Sequence, residues 1–278
     1  MSFPIVDLLA LPKIDTHCHV LDPARFPYAP DAAYRPDGQE MGELSGLNAV
    51  MNFHGVRHAL LVGPNSGYGL DNRCMLDAIV QDDVRFKGIA VVPNNASDEL
   101  LAVLQEQGVI GAAFNASLHG VAYYMDIAPL LKRLAQRNMW AQFQVEDDQL
   151  VELLPMIVKS GARVMFDHCG RPRASEGLKQ KGFQVLLAMG RDQQAIVKLS
   201  GFAKFSQIEF PFDDTQPFIE ALARDFGLNH CMWASDWPYL KASPRLDYGP
   251  MLALYALMFS YAECEQIMWH SPKALLGF

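Results

Sequence analysis

The sequence predicts an α/β fold, a (β/α)8 TIM barrel in one domain over residues 1–278, and three observations predict it. Eight short apolar, β-rich runs recur at fairly even spacing along the chain. Amphipathic stretches with turn residues separate them, and crossovers of that kind make the strands parallel. The length of 278 residues is close to the roughly 250 of one closed barrel, and no Gly-x-Gly-x-x-Gly follows the first run to suggest a dinucleotide-binding sheet.

In order, the runs are Lys13 to Val20, His58 to Gly63, Phe86 to Val92, Val109 to Asn115, Met139 to Val145, Arg163 to His168, Ala195 to Ser200 and His230 to Asp236. The spacing predicts helices over Leu70 to Gln81, Asp98 to Gln107, Ile127 to Asn138, Asp147 to Ser160, Gly177 to Arg191 and Asp214 to Phe226. The stretch from Leu21 to Glu43 is rich in Pro, Tyr, Asp and Gly and is too long for a simple connection. It reads as a cover over the barrel mouth. No linker, low-complexity segment or short-period repeat divides the chain.

Half of the residues are apolar and 19% are charged, a globular composition. The net charge is −8 and no Lys/Arg cluster occurs, so a nucleic-acid partner is not expected. Five cysteines, an odd set without Cys-x-x-Cys spacing, suit reduced thiols in a cytoplasm. The N-terminal stretch carries Asp7 and lacks a basic leader, and no apolar run is long enough for a bilayer. The expectation is a cytoplasmic protein without a membrane partner.

The chemistry concentrates at three strand ends. In Ile14-Asp15-Thr16-His17-Cys18-His19, alternation along a strand places His17 and His19 on one face. The histidines of an isolated His-x-His pair would more readily satisfy each other or the backbone. Here two more runs finish on titratable groups, Phe166-Asp167-His168 and Ala234-Ser235-Asp236. The C-terminal strand ends of a barrel converge on the mouth where its chemistry sits. A carboxylate there can take a proton from water, and imidazoles can stabilise a developing oxyanion.

These residues resemble the amidohydrolase superfamily, whose pattern is His-x-His after strand one, His after strand six and Asp after strand eight. The segments FPYAPDAAYRP, GIAVV, FDHCGRPR, VKLSG, WASDWP and SPKALLGF are similar to the branch containing 2-pyrone-4,6-dicarboxylate hydrolase and the sugar-lactone hydrolases. The resemblance runs from Asp15 to Phe278. It implies a hydrolase that opens a small lactone, with Asp236 as general base, His17, His19 and His168 around the substrate carbonyl, and Arg171 on a carboxylate or hydroxyl. It also implies Tyr28 or Tyr34 as a substrate contact, with packing of the long loop the alternative.

Dinuclear members of the superfamily use a bridging Lys or carboxylate on strand four and a His on strand five. This chain reads Gly111-Ala112-Ala113-Phe114-Asn115 and Gln142-Phe143-Gln144 there, so a two-metal centre is not expected. Metal-free chemistry is the reading that the branch implies, with Gln144 beside substrate. The alternative is one zinc held by His17, His19, His168 and Asp236, serving a decarboxylase or a metallo-hydrolase. Dicarboxylate-binding members carry an Arg just before Phe-Asn and a second shortly after, where this chain has Ala113 and, approximately, His119. A less charged lactone is therefore expected.

Lys204, after the seventh run, is either a substrate cation or a solvated lysine. Cys18 and Cys169 read as buried thiols. Trp233 reads as packing behind its strand and Trp237 as shaping the rim. Oligomeric state leaves no mark on the sequence.

Overall fold

A computed structural model of the chain describes residues 3–32, 34–242 and 245–278. The strands are β1 (Lys13–Cys18), β2 (Val56–Val62), β3 (Phe86–Val91), β4 (Val109–Asn115), β5 (Trp140–Gln144), β6 (Arg163–Phe166), β7 (Ile196–Leu199) and β8 (Cys231–Trp233). They form one eight-stranded sheet in the order β1 to β8, with parallel pairing and intervening helices. This is the expected (β/α)8 barrel. The helices are α1 (Ile5–Ala10), α2 (Leu44–Phe53), α3 (Arg73–Gln81), α4 (Asp98–Glu106), α5 (Ala128–Gln136), α6 (Gln149–Ser160), α7 (Lys181–Arg191), α8 (Gln216–Phe226), α9 (Tyr248–Met258), α10 (Tyr261–Glu265) and α11 (Ser271–Leu276), with shorter turns between them. Among the described residues no helix is long and apolar enough to cross a membrane.

The chain divides into two compact units, one of Met1–Val91, Gln107–Val109 and Trp233–Phe278, the other of Val92–Glu106 and Ile110–Met232. In the first, every residue of β1 is buried, including Lys13, Asp15, Thr16 and His17. A buried ammonium needs acceptors, and Lys13 Nζ donates to the carbonyls of Leu8 and Leu11 at the end of α1. Burial still lowers its pKa to about 8. Trp233 sits edge-on to Tyr248 and Tyr255 of α9, behind β8 as expected. Ser260 and Glu263 close a capping box that starts α10.

In the second unit Phe114, Phe143 and Phe166 of successive strands pack ring against ring, with centroids 4.9 and 6.2 Å apart. Gly190 on α7 lets the ring of Phe226 from α8 approach to where a β-carbon would stand. Lys198 of β7, Asp167 after β6 and Gln142 of β5 form a buried triad. Lys198 Nζ lies 3.0 Å from Asp167 Oδ1 and donates to Gln142 Oε1 at 2.6 Å, while Gln142 Nε2 donates to Asp167 Oδ2 at 2.9 Å. Each polar group closes on the next, which offsets the desolvation of the ion pair.

Six strands are shorter than the sequence suggests, β1, β3, β5, β6, β7 and β8, and two of these matter for the site. β6 stops at Phe166 and β8 at Trp233, so His168 and Asp236 stand beyond them in turns with φ of 51° and 64°. A left-handed residue cannot continue an extended strand. The turns re-aim both side chains, which strand alternation alone would not do.

Candidate active site

In the first unit the end of β1 and the segment after β8 run together. The Asp236 N–H donates to the His17 carbonyl at 2.8 Å, and the His19 N–H to the Trp237 carbonyl at 2.9 Å. Those bonds place two imidazoles against one carboxylate. His17 Nε2 and His19 Nε2 each lie 3.9 Å from Asp236 Oδ1. His17, His19 and Asp236 retain only 2%, 7% and 5% of their exposure, so the cluster works in a medium where charge interactions are strong.

Behind it stands Asp15, which the sequence reading did not single out. Its Oδ1 accepts the N–H of Ser235 at 2.9 Å and that of His17 at 3.3 Å, and its Oδ2 accepts the Tyr248 hydroxyl at 2.9 Å. Full burial raises its pKa, opposed by those hydrogen bonds. The signal was present, because residues 15, 17 and 19 share the period of a strand face.

His19 Nδ1 lies 2.8 Å from the Val62 carbonyl, which can only accept. The proton therefore sits on Nδ1, and in the neutral ring Nε2 offers a lone pair towards Asp236. Donors 3.9 Å apart can both reach an ion at about 2.0–2.2 Å from each only at an angle wider than tetrahedral, so a small inward shift of this His/His/Asp set would let it hold one divalent cation. Two ions are less well served. Position 113 is Ala, and position 142, opposite it on β5, is a Gln already engaged by Lys198 and Asp167.

The long loop is tied by its own polar groups. The Tyr28 hydroxyl donates to the Pro36 carbonyl at 3.0 Å, and its ring lies over Gly67. The Tyr34 hydroxyl donates to Glu40, a buried carboxylate that also accepts the N–H of Lys241 at 2.6 Å. Lys241 Nζ lies 4.9 Å above the Tyr34 ring. Glu40 thus joins the loop to the segment after Asp236, and no local pattern announces it. Trp237 packs its ring against Gly42 of the same loop.

In the second unit His168 Nδ1 lies 3.0 Å from Ser200 Oγ. Gly201 (φ 67°) leaves room for the ring, since a β-carbon there would come within 2.6–2.8 Å of His168 Cβ, Cγ and Nδ1. Cys169 follows with its thiol pushed up to about 12 by burial, and all five cysteines are buried and unpaired by disulfides. They are inert thiols. Arg171 Nη1 donates to Ser117 Oγ at 2.8 Å, and Gln144 Nε2 donates to the same hydroxyl at 3.1 Å. Those two expected binding residues are thus brought together. His119 stacks on Tyr123 with centroids 4.8 Å apart, and burial lowers its pKa. Lys204 closes a turn with its N–H on the Gly201 carbonyl.

The amidohydrolase family model matches residues 14–278. Among curated proteins, a 4-sulfomuconolactone hydrolase of Rhizobium radiobacter is 29% identical, over 96% of this chain and 91% of its own. A 2-pyrone-4,6-dicarboxylate hydrolase of Comamonas testosteroni is 26% identical, over 91% and 86%. Among solved structures, a probable 2-pyrone-4,6-dicarboxylic acid hydrolase of Acinetobacter baumannii with citric acid bound superposes with a TM-score of 0.86, at 27% identity over 96% of this chain and 99% of that one. An amidohydrolase of Burkholderia multivorans solved with zinc shares the fold at a TM-score of 0.72 and 16% identity, over 96% and 99%.

Proposed function

The chain belongs to the amidohydrolase family, and from that premise we propose that it is an ester-acting hydrolase that opens a small lactone. The observation that carries the reading is the buried carboxylate of Asp236 facing the Nε2 atoms of His17 and His19. Asp236 takes a proton from water as the water oxygen attacks the ring carbonyl carbon. The carbonyl π pair moves onto oxygen, and His17, His19 and His168 stabilise that oxyanion. Collapse of the tetrahedral intermediate breaks the ring C–O bond. Asp236 returns its proton to the departing alkoxide, and a hydroxy acid leaves.

His19 can donate to an oxyanion only as an imidazolium, because its Nδ1 proton is committed to Val62.

The same lone pair on His19 Nε2 supports a second reading, a mononuclear metallo-hydrolase or decarboxylase. His17 and Asp236 each offer a ligand atom beside His19, and the family resemblance adds His168. The ion would supply Lewis acidity at the substrate oxygen.

The test is acid release from a panel of aldonolactones and aromatic-degradation lactones, followed with a pH indicator. We expect turnover of at least one neutral or singly charged lactone, faster than of 2-pyrone-4,6-dicarboxylate. Inactivity on every lactone, or a clear preference for the dicarboxylate, overturns the corresponding part of the reading.

A further inference from the structure

Three successive strand ends of the second unit carry a hydrogen-bonded cluster that the hydrolytic steps leave unused. Ser117 follows β4, Glu146 follows β5 and Arg171 follows β6. Ser117 Oγ donates to Asn115 Oδ1 at 2.8 Å and accepts from Arg171 and Gln144. One proton and two lone pairs are then all used, so this hydroxyl fixes the guanidinium. Arg171 itself is held in the left-handed region, φ 44°, which a residue with a β-carbon adopts only under constraint. Its Nε is buried and finds no acceptor among the described residues. Its Nη2 lies 3.1 Å from Glu146 Oε2, and the two side chains keep 22% and 34% of their exposure.

An arginine that receives a substrate carboxylate gains from having no anion beside it. Here Glu146 already occupies one edge. An incoming carboxylate would meet a like charge or have to displace Glu146, and like-charge juxtaposition is costly. A hydroxyl meets no such penalty, because it accepts from the guanidinium and donates to the carboxylate at once. Neighbouring hydroxyls on a ring substituent would satisfy both partners. We infer that Glu146 is a specificity-determining residue, which makes the Arg171 subsite select a hydroxylated, uncharged substrate end over a carboxylate. The inference takes its ring substrate from the lactone reading, but its recognition step requires no turnover.

D-galactonate and D-galactarate differ in carrying CH2OH or COO− at C6 and are not consumed, so their binding by calorimetry tests the subsite directly. The wild-type enzyme is expected to bind D-galactonate about tenfold more tightly, which corresponds to about 1.4 kcal/mol. The figure is modest because both side chains are partly exposed and screened. In Glu146→Gln, which keeps an oxygen for Arg171, the ratio should fall to about one or reverse. Glu152→Gln, an exposed change on α6, should leave it as in wild type and so controls for loss of charge alone. The corresponding 1,4-lactones should show the same change in kcat/KM, mostly through KM. An unchanged binding ratio in Glu146→Gln overturns the inference, as does failure of both acids to bind either protein. A shifted ratio with neither lactone hydrolysed keeps the role of Glu146 and removes lactone hydrolysis.

Discussion

Asp15 and Asp236 do different work at similar burial. Asp236 faces the two imidazoles, and Asp236→Asn should leave the fold intact while lowering kcat about a hundredfold or more, because an amide takes no proton from water. Wild-type turnover in the folded variant would remove it as the base. Asp15 holds the backbone of His17 and Ser235 and the Tyr248 hydroxyl. Asp15→Ala strands two N–H groups and the Tyr248 hydroxyl, each costing about 1–3 kcal/mol when buried, so a loss of about 3 kcal/mol or more is expected in denaturant melts. Asp15→Asn keeps the accepting oxygen and resembles the protonated acid. Because burial raises the pKa of Asp15, its contribution is full below the unfolded pKa of about 3.9 and is lost as pH rises through the folded value. The stability of Asp15→Asn should therefore be flatter than wild type above pH 4. Identical pH slopes would refute that linkage.

At the scale of elements, the turns after the strands decide where side chains point. Gly201, after β7, shows this most sharply, since a β-carbon there meets the His168 ring. Gly201→Ala should cost about 1–3 kcal/mol through its positive φ and lower kcat at least tenfold by displacing His168. Gly161→Ala, at φ 68° with nothing within 4 Å, carries the backbone strain without the clash and should keep its activity. Equal kcat in the two variants would separate His168 from the chemistry or from Gly201. Most strands were legible because short apolar runs between turn residues leave few alternatives. The ends of β6 and β8 were not, because the left-handed turns at His168 and Asp236 are imposed by packing rather than by Gly or Asn. Helix α9 also escaped, because it is apolar on nearly every side and shows no amphipathic period.

For the whole molecule, chelation separates a barrel that works with its own acids and bases from one that works with an ion. We expect activity to survive exhaustive chelation, since β5 carries Gln142 and Gln144 where dinuclear relatives carry His, and Gln144 is committed to Ser117. Activity that disappears and returns only with Zn²⁺, at one equivalent by elemental analysis, would make His17, His19, His168 and Asp236 ligands.

What the sequence determined by itself was periodic or contiguous: the strand and helix alternation, the barrel it implies, the His-x-His pair on one face, and the two strand ends that finish near His168 and Asp236. These are local properties, written within a few residues of one another. Only the tertiary structure decided what holds them. Asp15 meets Ser235 and Tyr248 across 220 and 233 residues of chain. Glu40 reaches Lys241 across 201. Glu146 neutralises Arg171 from the neighbouring strand end. A hydrogen bond has directional and distance requirements but no sequence period, so partners that far apart leave no pattern to read until the sheet has set its register.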